Sequence, residues 1–119
     1  MRTIEKFSPE SEFYTEERCY ITEIHNSSDS SIARARVKPG VTTGLHSLRK
    51  TFEQYVILEG EGEVEVGDSP AVKVTSLDVV NIAVDTPQRI TNTGDKDLIF
   101  LCLCTPGFKP KAYENLEDD

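Results

Sequence analysis

Apolar and polar residues alternate at a spacing of two through most of this chain. Segment 32–37, Ile-Ala-Arg-Ala-Arg-Val, alternates without a break, and 63–66, Glu-Val-Glu-Val, sets valines on one face and carboxylates on the other. Side chains two apart on a strand share a face, so these patterns predict half-buried strands. Further strands are predicted at 18–24, 46–48, from 53 onward, and at 71–75, 79–82, 88–92 and 98–104. Turn-forming residues separate them: Pro39-Gly40, Gly67 to Pro70, Ala83 to Pro87, Thr93 to Asp97 and Thr105-Pro106-Gly107. Residues 1–17 read as an irregular arm or a short edge strand, and 112–117 as one or two turns of helix. No other segment has a helical period. Short strands with turns every 8–12 residues or so predict an all-β barrel or sandwich.

The totals narrow this picture. A chain of 119 residues makes one domain with a working core, here with a barrel core at about 18–105, an arm before it and a tail after it. Its mean hydropathy of −0.39 is low, but the strand pattern argues against disorder. A net charge of −8 repels nucleic acid and anionic membranes, so neither is expected as a partner. Three cysteines without a Cys-x-x-Cys motif suit free thiols in a reducing compartment. The first residues lack the apolar core of a signal peptide, and no apolar run has membrane-spanning length. A cytoplasmic protein is expected.

Candidate chemistry concentrates at residues 39–60. His46 and Leu48 share a face of one predicted strand, and after a turn at 49–52 Glu53 shares a face with Tyr55 and Ile57 on the next. An imidazole and a carboxylate are thereby aimed at one point from adjacent strands, an arrangement that suits a metal ion. An ionised carboxylate inside a barrel is costly unless paired, so an inward Glu53 needs a metal, a cation or His46 itself. A His46–Glu53 pair without metal could also perform general acid–base chemistry.

These residues resemble the cupin superfamily of double-stranded β-helix, or jelly-roll, barrels. Gly40, His46, Glu53 and Gly60 stand at the places of that family's first motif. The second motif is matched outright only at Asn92, although Leu77-Asp-Val-Val-Asn-Ile and Asn92-Thr-Gly-Asp keep its phrasing. Four side chains hold the ion in metal-bearing cupins, and their places are taken here by His46, Leu48, Glu53 and Gln88. Leucine cannot coordinate. The resemblance therefore implies an incomplete metal set of His46, Glu53 and Gln88, with His46 and Glu53 as the catalytic candidates. The pocket is expected to include Leu48, Tyr55, Ile57, Ile90, Phe100 and Cys102.

Arg34 and Arg36 share one face of their strand, and they face either solvent or the barrel mouth. His25 reads as surface. The resemblance also implies a homodimer in which residues 12–24 lend an edge. Two function classes stay open. One is a metal-dependent enzyme, dioxygenase- or isomerase-like, in which Fe, Mn, Ni or Zn acts on a small polar organic substrate. The other is a metal-free ligand-binding or sensor module. Acid–base isomerase or epimerase chemistry is a third possibility.

Overall fold

The structure, a computed structural model, describes residues 2–117. The predicted alternations become strands that curl into two facing antiparallel sheets. In chain order they are β1 (Phe13–Tyr14), β2 (Tyr20–Asn26), β3 (Ser31–Val37), β4 (His46–Leu48), β5 (Phe52–Glu59) and β6 (Glu61–Val66). There follow β7 (Val72–Thr75), β8 (Val79–Ile82), β9 (Gln88–Asn92), β10 (Leu98–Thr105) and β11 (Tyr113–Asn115). One sheet runs β1-β2-β3-β10-β5-β8 and the other β11-β4-β9-β6-β7. This is an all-β double-stranded β-helix.

Face parity holds along the central strands. In β3, Ala35 and Val37 are buried, while Arg34 and Arg36 point outward. Arg36 bonds Glu12 at 2.7 and 3.0 Å and Asp97 at 3.0 Å, and Arg34 reaches Glu12 at 3.5 Å. Both arginines are therefore spent on the outer face. Arg89, opposite in parity to Gln88, pairs outside with Glu65. His25 lies on β2 against Glu5.

Gly60 marks the corner where the chain leaves β5 in one sheet for β6 in the other. Its φ is +87°, and a Cβ there would lie 2.7 Å from the Asp97 carbonyl oxygen. Only glycine meets both demands without strain. Asn92 secures the neighbouring turn from inside. Its Nδ2 donates to the carbonyls of Val37 and Lys96, each at 2.8 Å, and its Oδ1 accepts from Gly94 N at 2.9 Å. Asn92→Ala leaves these buried backbone groups without partners and should cost about 2 kcal/mol. Urea unfolding of the variant measures the loss, and an unchanged midpoint would show that the turn does not depend on the side chain.

The two chain ends depart from the sequence expectation. The segment 112–117 is not helical: a 3-10 turn at Pro110–Ala112 leads into β11, which pairs with β4 through Tyr113↔Leu48 and Asn115↔His46. The polar tail gains its strand by completing the hydrogen bonds of β4, a tertiary effect that local propensity does not register. The arm contributes a 3-10 turn at Pro9–Ser11 and the two-residue edge strand β1. Arg18 ties the two ends together, donating to Glu117 at 2.9 and 3.3 Å. Among the described residues no helix is long and apolar enough to cross a membrane.

Candidate functional site

The barrel interior is filled at one end and hollow at the other. Val37, Ile57, Ile90 and Leu98 are fully buried and pack together at the filled end. Toward the other end lies a cavity of about 340 Å³, walled by β2, β3, β4, β5, β10, the arm and the tail. His46, Leu48, Glu53, Tyr55, Phe100 and Cys102 line it, as their strand faces predict. Ile57 and Ile90 share those faces but sit deeper, in the core rather than on the cavity wall. Parity assigns the side of a sheet and not the depth along the barrel.

Strand register assembles the polar groups. Cys104 stands opposite Glu53 across β10 and β5, and its thiol donates to Glu53 Oε2 at 3.6 Å. Gln88 stands opposite His46 across β9 and β4, and its Oε1 accepts from the Tyr55 hydroxyl. His46 Nδ1 lies 2.9 Å from the Gly44 carbonyl oxygen. A carbonyl only accepts, so Nδ1 carries a proton and the ring is oriented through that bond.

Glu53 is the most unusual group. It is 6% exposed, and its Oε1 has no hydrogen-bond partner among the described residues. Burial, joined by repulsion from Glu17, pushes its carboxyl up to about 7, although nearby Gln88 and Cys104 pull the other way. Burial likewise pushes the Cys104 and Cys19 thiols up to about 12, so these sulfurs stay protonated, weak donors rather than nucleophiles. All three cysteines are free thiols.

The carboxylate nearest His46 is not Glu53. Glu17 Oε2 approaches His46 Nδ1 at 3.6 Å, while Glu53 Oε2 accepts from Cys104; the alternative of a direct His46–Glu53 ion pair is not among the contacts of the described residues. Tyr113 covers this corner. Its ring stacks on His46 at 5.0 Å and 17°, and its hydroxyl faces Glu17. Desolvation raises the Glu17 carboxyl, opposed by His46 and Tyr113. Sequence reasoning missed both residues, because each lies in a segment without strand periodicity. The acidic run Glu16-Glu17 beside a first strand was the one signal available for Glu17.

The resemblance noted in the sequence implies an ion held here by His46, Glu53 and Gln88. His46 and Glu53 are sound ligands. Gln88 offers an amide oxygen already committed to Tyr55, and Leu48 fills the fourth place. Among the described residues no three His, Cys, Asp or Glu side chains gather as an ion requires. This set does not fit a resident metal.

Two facing sheets wound into a β-helix, with histidine and glutamate directed into one mouth, define a class of small barrel. The chain belongs to the cupin domain family, which its residues 33–104 match. An uncharacterized protein of Methanocaldococcus jannaschii is 34% identical over 94 residues, 79% of this chain and 74% of the relative. An oxalate-binding protein of Thermotoga maritima is 38% identical over 71 residues, 60% of this chain and 58% of the relative. Among solved structures, an uncharacterized double-stranded β-helix protein of Klebsiella pneumoniae aligns with a TM-score of 0.80 at 18% identity, over 99% of this chain and 100% of that one. Pac13, a nucleoside dehydratase, aligns with a TM-score of 0.80 at 14% identity, over 97% and 92% of the two chains. At such identities the structural likeness carries the fold alone.

Proposed function

We propose that this protein is a small-molecule-binding cupin whose cavity performs metal-free acid–base chemistry, with Glu53 and His46 as the proton-handling groups. The observation that carries this reading is Glu53 itself: a buried carboxyl on the cavity wall, with one oxygen unpartnered and its pKa raised to about 7. A carboxyl tuned to the working pH exchanges protons efficiently in both directions. His46 lines the same cavity with its ring oriented by the Nδ1 contact to Gly44, and the Tyr55 hydroxyl is locked to Gln88. The apolar remainder of the cavity excludes water and holds the ligand's carbon skeleton.

Oxalate binding does not transfer readily from the Thermotoga relative. Among the described residues no lysine or arginine lines the cavity, so nothing on its wall answers a dianion. The open edge strand β1, with Phe13 and Tyr14 exposed, supports the dimer expected of small cupins.

The test is solvent-hydrogen exchange. Incubated in D2O with a panel of small carbonyl, hydroxy and amino compounds, the protein should catalyse C–H exchange in a responsive compound. That exchange should survive chelator treatment and fall at least about a hundredfold in both His46→Gln and Glu53→Gln. Exchange that disappears on chelation, together with stoichiometric Fe, Mn, Ni or Zn lost in His46→Ala, would restore the metal-dependent reading with Gln88 released from Tyr55 as third ligand. Exchange that persists in Glu53→Gln would remove Glu53 from the chemistry.

A further inference from the structure

The distribution of charge around the cavity is one-sided. Glu17 and Glu53 lie within it and Glu16 and Glu23 stand at its exposed rim, while no lysine or arginine among the described residues contributes to its wall. Five of the six guanidinium groups are committed elsewhere. Arg34 and Arg36 bind Glu12 on the outer face of β3, Arg89 binds Glu65, Arg49 faces Glu114 and Arg18 holds Glu117. No ion pair with a lysine or arginine forms at Glu16, Glu17, Glu23 or Glu53 among the described residues.

A row of acids is not by itself a site, but Glu53 adds an independent observation. Glu53 is part of the cavity wall, and its buried Oε1 makes no hydrogen bond among the described residues, although the Gln88 amide stands near enough to lower the carboxyl. Leaving such an oxygen unpaired is expensive, and an N–H donor entering the cavity would relieve it. The other walls are aromatic. Tyr55 and Phe100 pack at 4.6 Å in the interior, and Phe13, Phe108 and Tyr113 stand nearer the opening. Ring faces attract organic cations, and buried carboxylates bind them through charge-assisted hydrogen bonds.

We propose that the cavity selects a small organic ammonium ion, with its nitrogen donating to Glu53 Oε1, Glu17 completing the negative field and its carbon chain against the aromatic wall. The inference rests on the reading of this cavity as a small-molecule site and adds the class of ligand. The rim carboxylates Glu16 and Glu23 draw a cation toward the mouth and repel anions before they enter. The volume of about 340 Å³ is at the lower end for ligand sites, which limits the guest to a small amine.

A charge series at nearly constant shape tests the proposal. Butylammonium, 1-butanol and butyrate are titrated into the full-length protein by calorimetry, with NMR shifts of the Tyr and Phe rings reporting location. Butylammonium should bind at least about tenfold more tightly than 1-butanol, butyrate should bind least, and the preference should shrink about fivefold or more in Glu17→Gln and in Glu53→Gln. Ring-shift spectra of the variants verify that they are folded. Equal binding of butylammonium and 1-butanol, or a preference for butyrate, overturns the ammonium inference while leaving a small-molecule site in place. Failure of all three to perturb the cavity rings overturns both.

Discussion

Wild-type protein should lose roughly 3 kcal/mol of stability as pH rises from about 4.5 to about 7, and Glu53→Gln should remove most of that loss. The sign follows from the direction of the shift. Glu53 has an ordinary value of 4.5 and is pushed up to about 7 in the fold, chiefly by burial. Below 4.5 it is protonated in folded and unfolded chains alike, and its contribution is fully present. Between those values the unfolded chain releases the proton while the folded chain keeps it, so unfolding gains ground with each step in pH. Above about 7 both are ionised and the loss stops growing. The groups that face this carboxyl are Glu17, Gln88 and Cys104, and Glu17 is itself raised, so a smaller slope of the same sign survives in the variant. Carboxylates held low by arginines, such as Glu12 and Glu65, act only as pH falls below the ordinary carboxylate range and bound the curve on its acid side. Urea midpoints measured at pH 5 and pH 8 decide the matter. Near pH 8 the variant should melt on the order of 10 °C higher than the wild type. A wild-type stability that is flat or rising across this interval would mean that Glu53 is already paired, and the case for it as a proton-handling group would fall with the slope.

The same residue shows how far sequence carries an argument of this kind. Alternation, apolar runs and turn residues located β3 through β10 and showed which residues share a face, and the cupin resemblance supplied the inward direction for His46, Leu48, Glu53, Tyr55, Phe100 and Cys102, all of which line the cavity. Shared faces needed only the geometry of a pleated strand; the direction inward needed the family pattern. The depth of a residue along the barrel is a different quantity. Ile57 lies two residues from Tyr55 on the same face, yet it packs with Leu98 in the filled end. Partner choice also escaped the sequence. Gln88 reads either as a weak ligand or as the close of a hydrogen-bond network, and only register shows that the partner of its oxygen is the Tyr55 hydroxyl. The largest omission lay at the chain ends, which read as an arm and a tail outside the barrel. Their residues are mostly polar, so nothing local marks them as walls. Glu17 reaches the cavity because Gly44 N and Glu17 O are hydrogen-bonded at 3.0 Å, and Tyr113 because β4 has a free edge to pair. Long-range pairing makes a wall from a segment with no amphipathic pattern of its own.

The route of the tail sets the second large effect. Gly107 is buried against the corner after β2, where a Cβ would stand 1.9 Å from the Ser27 carbonyl oxygen and 3.1 Å from its carbon. Both atoms are backbone, so no rotamer change can make room for a methyl group. On either side the contact is closely tied: Gly107 N bonds Ser28 O at 3.3 Å, Phe108 N bonds Ser31 Oγ at 2.9 Å, and Asn26 Nδ2 bonds Phe108 O at 3.0 Å. Gly107→Ala must therefore lift the chain from this corner. The displacement carries forward to Phe108, Pro110 and Tyr113, which line the cavity, and to the ladder that joins β11 to β4. Overpacking against immovable atoms plus lost pairing should cost about 4 kcal/mol. A fall in melting temperature on the order of 15 °C, with loss of amide protection along β11, would record it. Tyr113→Ala separates the two consequences, since it uncovers His46 without touching the corner. It should change ligand binding and the exchange chemistry while lowering the melting temperature by only a few degrees. If Gly107→Ala instead melts with the wild type and β11 stays protected, the corner is yielding and the tail is held by β4 alone. The wall over His46 would then be fixed by strand pairing rather than by the packing of a glycine against Ser27.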